Sequence, residues 1–383
     1  MVSFNSNQWI ELFDVFDEGV FKEKRGIATL SKNTIRLLFG MTFLITGAAG
    51  FIGYHLVKRL LKKGNDVVGI DNLNHYYDVN LKLGRLSEMG IDYSESMREI
   101  VQSCKFPLYR FGKIDILERE TLNELFSQEE FDIVINLAGQ AGVRYSIENP
   151  YTYIDNNIVG FLNVLECCRH YPVKHLVYSS SSSVYGGNTK VPFSEEDRVD
   201  NPVSLYAATK KTNELMANVY NHLFGIPTTG LRFFTVYGSW GRPDMAYYSF
   251  TEKLLRGESI KIFNYGNCMR DFTYVDDIVE GIYRLIKRIP DGSMVYNIGN
   301  NHPESLLDFV NILQEELVRA KLLPADYDFA AHRELLPMQP GDVPVTYADT
   351  SKLEKYVGFK PSTSLRDGLR SFVEWYADYK FRV

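Results

Sequence analysis

From Met41 onward the chain alternates short apolar runs with stretches of helical periodicity, and few folds can accept that rhythm. Residues 41–46 read as a short apolar strand. GAAGFIG (47–53) follows, and residues 51–63 place apolar and basic side chains at helical spacing. Gly64 and Asn65 end that helix, and residues 66–70 form a second strand that closes on Asp71. Residues 133–137, 176–179 and 228–233 read as further buried strands, the first of them the fourth strand of the series. Residues 118–128, 156–170 and 204–224 read as helices between them. Strands alternating with helices predict an α/β fold: a doubly wound parallel sheet, Rossmann-like, with helices on both faces.

After about Tyr237 the rhythm loosens, and Pro243, Pro303, Pro337, Pro340, Pro344 and Pro361 punctuate shorter elements. The expected organisation is a dinucleotide-binding domain over 41–236 and a smaller C-terminal substrate-binding lobe over 237–383, some segments interleaving with the first. Residues 1–40 stand apart. Residues 8–21 could form a short amphipathic helix, and 22–25 are charged. The segment is either an N-terminal extension of unknown role or lies upstream of a true start at Met41. It lacks the pattern of a signal peptide.

Composition narrows the class. Net charge is −6 with both signs dispersed and no basic run, which argues against nucleic acid as a partner. No apolar run approaches the roughly 20 residues of a membrane span. The four cysteines, Cys104, Cys167, Cys168 and Cys268, lack metal-ligand spacing, so no metal is expected. They read as ordinary thiols in a reducing cytoplasm.

The glycine loop carries the first chemical reading. Gly47, Gly50 and Gly53 follow a strand and open a helix, so the backbone can approach a pyrophosphate that faces the helix N-terminus. Phe51 and Ile52 belong to the same turn. Asp71, with Asn72 beside it, ends the next strand. An acid there accepts from both adenosine ribose hydroxyls and repels a 2′-phosphate, which favours NAD over NADP. Asp115 and Ile116 in KIDI can meet the adenine edge. Leu137 and Ala138, after Asn136, leave room for the nicotinamide half. Asn157 either shapes the site or bonds neighbouring backbone.

Tyr206 and Lys210 lie one helical turn apart in SLYAATKKTNELM. A phenol ionises near pH 10, and lowering that to about 7 takes roughly 4 kcal/mol. A single cation about 4 Å away supplies about that much at an effective dielectric near 20. Lys210 and an oxidised nicotinamide ring are both available cations. The preceding SSSSSVYG (179–186) offers Ser181 to hold a substrate hydroxyl against Tyr206. Together these suggest a nicotinamide enzyme that oxidises an alcohol.

With GAAGFIG, Asp71-Asn72, SSSSSVYG, YAATK and RDFTYVDD on one chain, the sequence resembles the extended short-chain dehydrogenase/reductase family of nucleotide-sugar enzymes. Within it, DNLNHYYDVNLKLGRL, AGQAGVRYS, GLRFFTVYGSWGRPDM and LLPMQPGDV resemble the UDP-glucuronate 4-epimerases, from Met41 to about Tyr379. The resemblance implies bound NAD, a UDP-sugar substrate, Tyr206 as base, Lys210 as its activator and ribose ligand, and Ser181 as the hydroxyl-binding serine. It puts Ser182, Ser183 and Thr235 near the sugar carboxylate, with Arg144 and Arg242 as further ligands of the anionic end. Arg270 would meet the diphosphate and Asp342 the uridine ribose. A homodimer formed through the helices at 156–170 and 204–224 is implied as well.

Two positions depart from the wider pattern. Gly139 replaces an alanine, which should loosen the backbone slightly, and Gln339 stands where neutral-sugar epimerases carry arginine. Ser183 occupies the place of the glutamate of related decarboxylases, and Ser182 with Ser183 replaces the Asp-Glu pair of 4,6-dehydratases. A 4-epimerase of UDP-glucose or of a UDP-N-acetylhexosaminuronate, a UDP-glucuronate decarboxylase and a non-catalytic NAD-binding protein are the alternative readings.

Overall fold

The computed structural model describes residues 40–93, 99–338 and 344–382. The helix expected over 8–21 and the positions of Gln339 and Asp342 lie outside the described residues.

The strand–loop–helix unit forms as its sequence requires. Strand β1 (Thr42–Thr46) is wholly buried, helix α1 (Phe51–Leu61) packs on it, and β2 (Asp66–Asp71) pairs parallel to it. Helix α2 (Val79–Glu88) and the short β3 (Val101–Gln102) precede β4 (Tyr109–Lys113), which extends the sheet beyond β2. Helix α3 (Arg119–Glu129) leads to β5 (Ile133–Asn136) on the other side of β1. A π-helical turn (Ile154–Val159) runs into α4 (Gly160–His170), so the helix expected over 156–170 begins with wider winding. Strand β6 (His175–Ser181), α5 (Leu205–Phe224) and β7 (Thr228–Phe233) continue the series.

The large sheet runs β11-β7-β6-β5-β1-β2-β4-β3, parallel except where β3 pairs antiparallel with β4. The strand at 133–137 is therefore fifth in the chain, not fourth. Its last strand, β11 (Ser293–Ile298), comes from beyond Tyr237 and pairs with β7. Before it, α6 (Ala246–Leu255) and β9 (Ile260–Ile262) belong to the second part of the molecule, as does β10 (Met269–Tyr274). Helix α7 (Val275–Ile286) then returns to the first and packs against α1. A smaller sheet joins β10 to β8 (Thr235–Tyr237), β12 (Pro303–Ser305) and β14 (Val345–Thr346), while β13 (Arg333–Leu335) pairs with β9. Helices α8 (Leu306–Arg319) and α9 (Leu365–Arg382) pack together beside it.

Apolar clusters lie on both faces of the large sheet. One gathers Phe43, Ile45, Leu56 and Val57 with Ile278 and Ile282 from α7; the other gathers Leu44, Val134 and Phe126 with Leu165, Cys167 and Cys168 from α4. Both cysteines are buried thiols. A third cluster, around Phe272, Phe309 and Phe372, is the core of the smaller part. No helix among the described residues is long and apolar enough to cross a membrane.

Candidate active site

Ligands of an open, parallel sheet bind beyond the carboxyl ends of its strands, and a cleft among the described residues lies there. About 450 Å³ in volume, it is of ligand size. It is lined by the glycine loop, Asp71, Asn72, Asp115, Ile116, Leu137 and Ala138 at one end, and by Ser181 to Ser183, Tyr206, Lys210, Thr235 and Arg242 at the other.

The glycines are required by close approach. Gly47 has φ +71°, and a Cβ there would lie 2.8 Å from Ala138 N. A Cβ on Gly53 would lie 2.2 Å from Gly47 O. Gly50 starts α1 with no side-chain cap, and no acid occupies the first turn. The free N–H groups and the positive end of the helix dipole are left for an anion, and the cradle is one that a side chain would fill. These residues fit a dinucleotide pyrophosphate.

At the ribose end Asp71 is buried and accepts from Leu73 N at 2.8 Å. It is not alone: Lys82 Nζ lies 3.2 Å from its Oδ1. Asn72 Nδ2 donates to Asp115 Oδ2 at 2.9 Å, which ties the ends of β2 and β4 together. Asn157 braces the turn after β5. Its Oδ1 accepts from Gln140 N at 2.7 Å, and its Nδ2 donates to Gln140 O and Thr209 Oγ1. Gly139 serves the same brace, because a Cβ there would come within 2.8 Å of Asn157 Oδ1. The glycine makes room rather than loosening the strand end.

At the reacting end, Ser181 caps the short 3₁₀ turn Ser182–Tyr185, accepting from Ser183 N at 3.1 Å. Tyr206 is packed edge-on to Tyr153 on the first turn of α5. Burial pushes its phenol up, while a hydrogen bond with Ser181 and the charge of Arg242 pull it down. Lys210 points elsewhere than expected: its Nζ donates to Ser179 O at 2.9 Å and Ser179 Oγ at 3.0 Å. Burial lowers its own pKa to about 8. In this arrangement Ser181 and Arg242 pull the Tyr206 phenol down, while the Lys210 ammonium is held on Ser179. The sequence suggested Ser181 beside Tyr206 but not Ser179 as the partner of Lys210, because helical spacing fixes a shared face and not the acceptors around it.

The ends of β6 and β7 are held by a buried network that sequence reasoning missed. Arg232 Nε and Nη2 donate to Glu214 Oε1 and Oε2 at 2.8 and 2.9 Å, and Ser180 Oγ donates to Glu214 Oε1 at 2.7 Å. Arg232 Nη1 also reaches Tyr185 Oη, which donates to Asn297 Oδ1. Arg85 was missed too. Fully buried, it donates to Ala49 O, Trp240 O, Gly241 O and Tyr77 Oη, joining the glycine loop to the segment that carries Arg242.

The basic residues expected around the substrate divide. Arg242 lines the cleft and makes a two-point pair with Asp244 at 3.0 and 2.8 Å. Arg144 is not brought in: it is exposed, stacked over Phe263 with its guanidinium 5.1 Å from the ring centroid. Arg270 sits on β10 outside the cleft lining, and its Nη1 donates to Met269 O and Pro344 O.

A glycine turn packed against the start of a helix, answered by a buried carboxylate on the next strand, defines a Rossmann-like dinucleotide-binding protein. The chain belongs to the NAD dependent epimerase/dehydratase family, whose model matches residues 43–299, and NAD is its cofactor. It is 49% identical over 356 residues to Protein CapI of Staphylococcus aureus, covering 88% of this chain and 99% of that one. It is 46% identical to UDP-glucuronate 4-epimerase 4 of Arabidopsis thaliana, covering 89% and 76%. Its fold superimposes on the crystal structure of UDP-glucuronic acid 4-epimerase from Bacillus cereus in complex with UDP-glucuronic acid and NAD, with TM-score 0.76 and 32% identity over 88% of this chain and all of that one.

Proposed function

We propose that this protein is an NAD-dependent nucleotide-sugar 4-epimerase that interconverts UDP-glucuronate and UDP-galacturonate. One observation carries the substrate choice. Beside Tyr206 the cleft presents the hydroxyls of Ser181, Ser182, Ser183 and Thr235 together with Arg242, and none of these five is an acid. Such a wall suits a carboxylate at C5. It offers no group for eliminating water and no glutamate at the place of Ser183.

NAD, when bound, supplies a hydride acceptor for C4 and returns the hydride later. Tyr206 takes the proton of the C4 hydroxyl, which Ser181 orients. The 4-keto sugar turns about its diphosphate link and presents its other face, and Tyr206 gives the proton back. That intermediate is a β-keto acid and can lose CO₂. Holding the carboxylate with short hydroxyl donors disfavours that loss. Arg270 and Asp342 are assigned to the diphosphate and uridine ribose on resemblance alone. Residues 237–383 are assigned as mainly the substrate lobe, and a reducing cytoplasm is the expected compartment.

A second copy of the chain is proposed to cover the outer face of α5. Leu215, Val219 and Leu223 recur there at i, i+4 and i+8 and are about half exposed, and Ile147, Tyr151 and Ile154 are exposed on the neighbouring segment. Light scattering tests this: replacing Leu215 and Val219 by glutamate should halve the measured mass.

The substrate experiment is proton NMR of UDP-glucuronate incubated with purified protein. The reading expects UDP-galacturonate without loss of CO₂. UDP-xylose or a 4-keto pentose would overturn the role given to Ser183. Turnover of UDP-glucose or an N-acetylated uronate alone would overturn the substrate but keep the reaction.

A further inference from the structure

Cofactor choice in this fold is made at the adenosine ribose, where a carboxylate accepts from the hydroxyls and repels a 2′-phosphate. Asp71 holds that position, but it does not stand there as a lone anion. Lys82 enters from α2 and places its Nζ 3.2 Å from Asp71 Oδ1 and 3.0 Å from Asn74 Oδ1. The two charged side chains are only 6% and 7% exposed, and both line the cleft. The Tyr77 ring lies close by, its centroid 5.4 Å from the ammonium.

The pair is neutral as a whole, so repulsion of a phosphate is weaker than a bare carboxylate would give. An ammonium has three N–H groups, and Asp71 and Asn74 take two of them. The next cation along α2, Arg85, is committed to the carbonyls of Ala49, Trp240 and Gly241. The nearby acid Asp115 is committed to Asn72 Nδ2 and Leu117 N. Among the described residues, Lys82 is thus the cation beside Asp71 that lines the cleft.

We propose that Lys82 is a latent site for the 2′-phosphate of NADP, masked by Asp71, so that removing the single charge of Asp71 is enough to make the chain accept NADP. Asp71→Asn preserves shape and an oxygen for the Leu73 N–H. It changes the local charge from zero to +1 and leaves the ammonium facing the ribose. A 2′-phosphate would then find a buried cation with no competing carboxylate on it.

The test measures bound dinucleotide and needs no turnover, so it stands apart from the substrate assignment. Wild type, Asp71→Asn, Lys82→Met and the double variant are equilibrated with equal NAD and NADP and desalted. The retained cofactor is then identified by mass spectrometry. Wild type and Lys82→Met should retain NAD almost exclusively. Asp71→Asn should raise the NADP-to-NAD ratio by at least about tenfold, the effect of roughly 1.4 kcal/mol, and the double variant should lose that gain. An unchanged ratio in Asp71→Asn would overturn the proposal. So would a ratio as high in the double variant, because the phosphate would then be held by something other than Lys82. Asp71→Ser is scored in the same way where Asp71→Asn does not melt cooperatively. If neither folds even with NADP present, Asp71 is a structural charge and the masking role is lost.

Discussion

Tyr206 and Lys210 show how burial sets the chemistry at single residues. The phenol is pushed up by desolvation and has Ser181 and Arg242 to bring it down, while Lys210 is held by two neutral acceptors on Ser179. A cation with a pKa near 8 is only partly charged in mildly alkaline solution. Losing its proton removes positive charge from the site where the proposed reaction needs a phenolate. We therefore expect kcat/KM to fall as pH rises through about 8. Substituting Lys210 by arginine, which stays protonated, should abolish that falling limb in whatever activity remains. Tyr206→Phe should cut kcat by about a thousandfold at every pH, within the range for losing a general base. A falling limb that persists in Lys210→Arg would assign it to another group. The YxxxK spacing and the serine run made Tyr206, Lys210 and Ser181 legible in the sequence, but the acceptors of Lys210 were not, since Ser179 comes from strand β6 and not from the helix.

Elements with a uniform environment were read correctly. Strands β1, β2, β5, β6 and β7 are buried along nearly all of their length, so each carries a short run with few charged residues. Strand β4 was implied by the strand end at KIDI but received no bounds, because its YRFGK alternates with polar residues, and Arg110 within it pairs with Asp66 and Glu129. Helix α2 went unseen for a related reason. Its inward face carries Lys82 and Arg85 as well as Leu81 and Leu86, so the apolar stripe is interrupted by the two cations that serve the cleft. The network behind β6 was hidden in the same way: Glu214 and Arg232 look like surface charges until the fold buries them side by side. Removing one partner leaves the other charge buried and unpaired. Glu214→Ala should therefore cost about 3–5 kcal/mol in urea denaturation, and Glu214→Gln less, because one acceptor for Arg232 survives. Equal losses in the two variants would mean that packing, not charge, is what Glu214 contributes. Since Ser180 is bonded to the same carboxylate, Glu214→Ala should also lower kcat/KM by displacing the serine turn.

At the scale of the whole molecule the chain crosses back on itself. It leaves the large sheet after β7 and returns with α7 on α1 and β11 beside β7. The loosening rhythm after Tyr237 suggested interleaving but not which elements return. Two histidines, His55 mostly buried and His175 fully buried, tie this architecture to pH. His55 on α1 bonds Ser239 O at 2.9 Å, and burial lowers its pKa to about 4. His175 opens β6, bonds Thr229 Oγ1 at 2.8 Å, and is lowered to about 4 by burial alone. Each is a base whose folded pKa lies below its unfolded value of 6.5, so between those values the unfolded chain binds a proton that the folded chain refuses. Stability from these groups is fully present above pH 6.5 and is lost as pH falls toward 4. The loss amounts to about 3 kcal/mol per histidine at 1.36 kcal/mol per unit. The carboxyls of half-buried Glu195 and buried Asp271 are pushed up by burial and act in the opposite sense, so the net acid profile of the wild type mixes both. The separation comes from a variant. His175 has no charged group among the causes of its shift, so His175→Gln should flatten the fall in unfolding free energy between pH 6.5 and 4 without altering the contribution of either carboxyl. Urea titrations of wild type and variant across that window measure the difference. Parallel profiles would mean that His175 takes up its proton without unfolding the strand it opens.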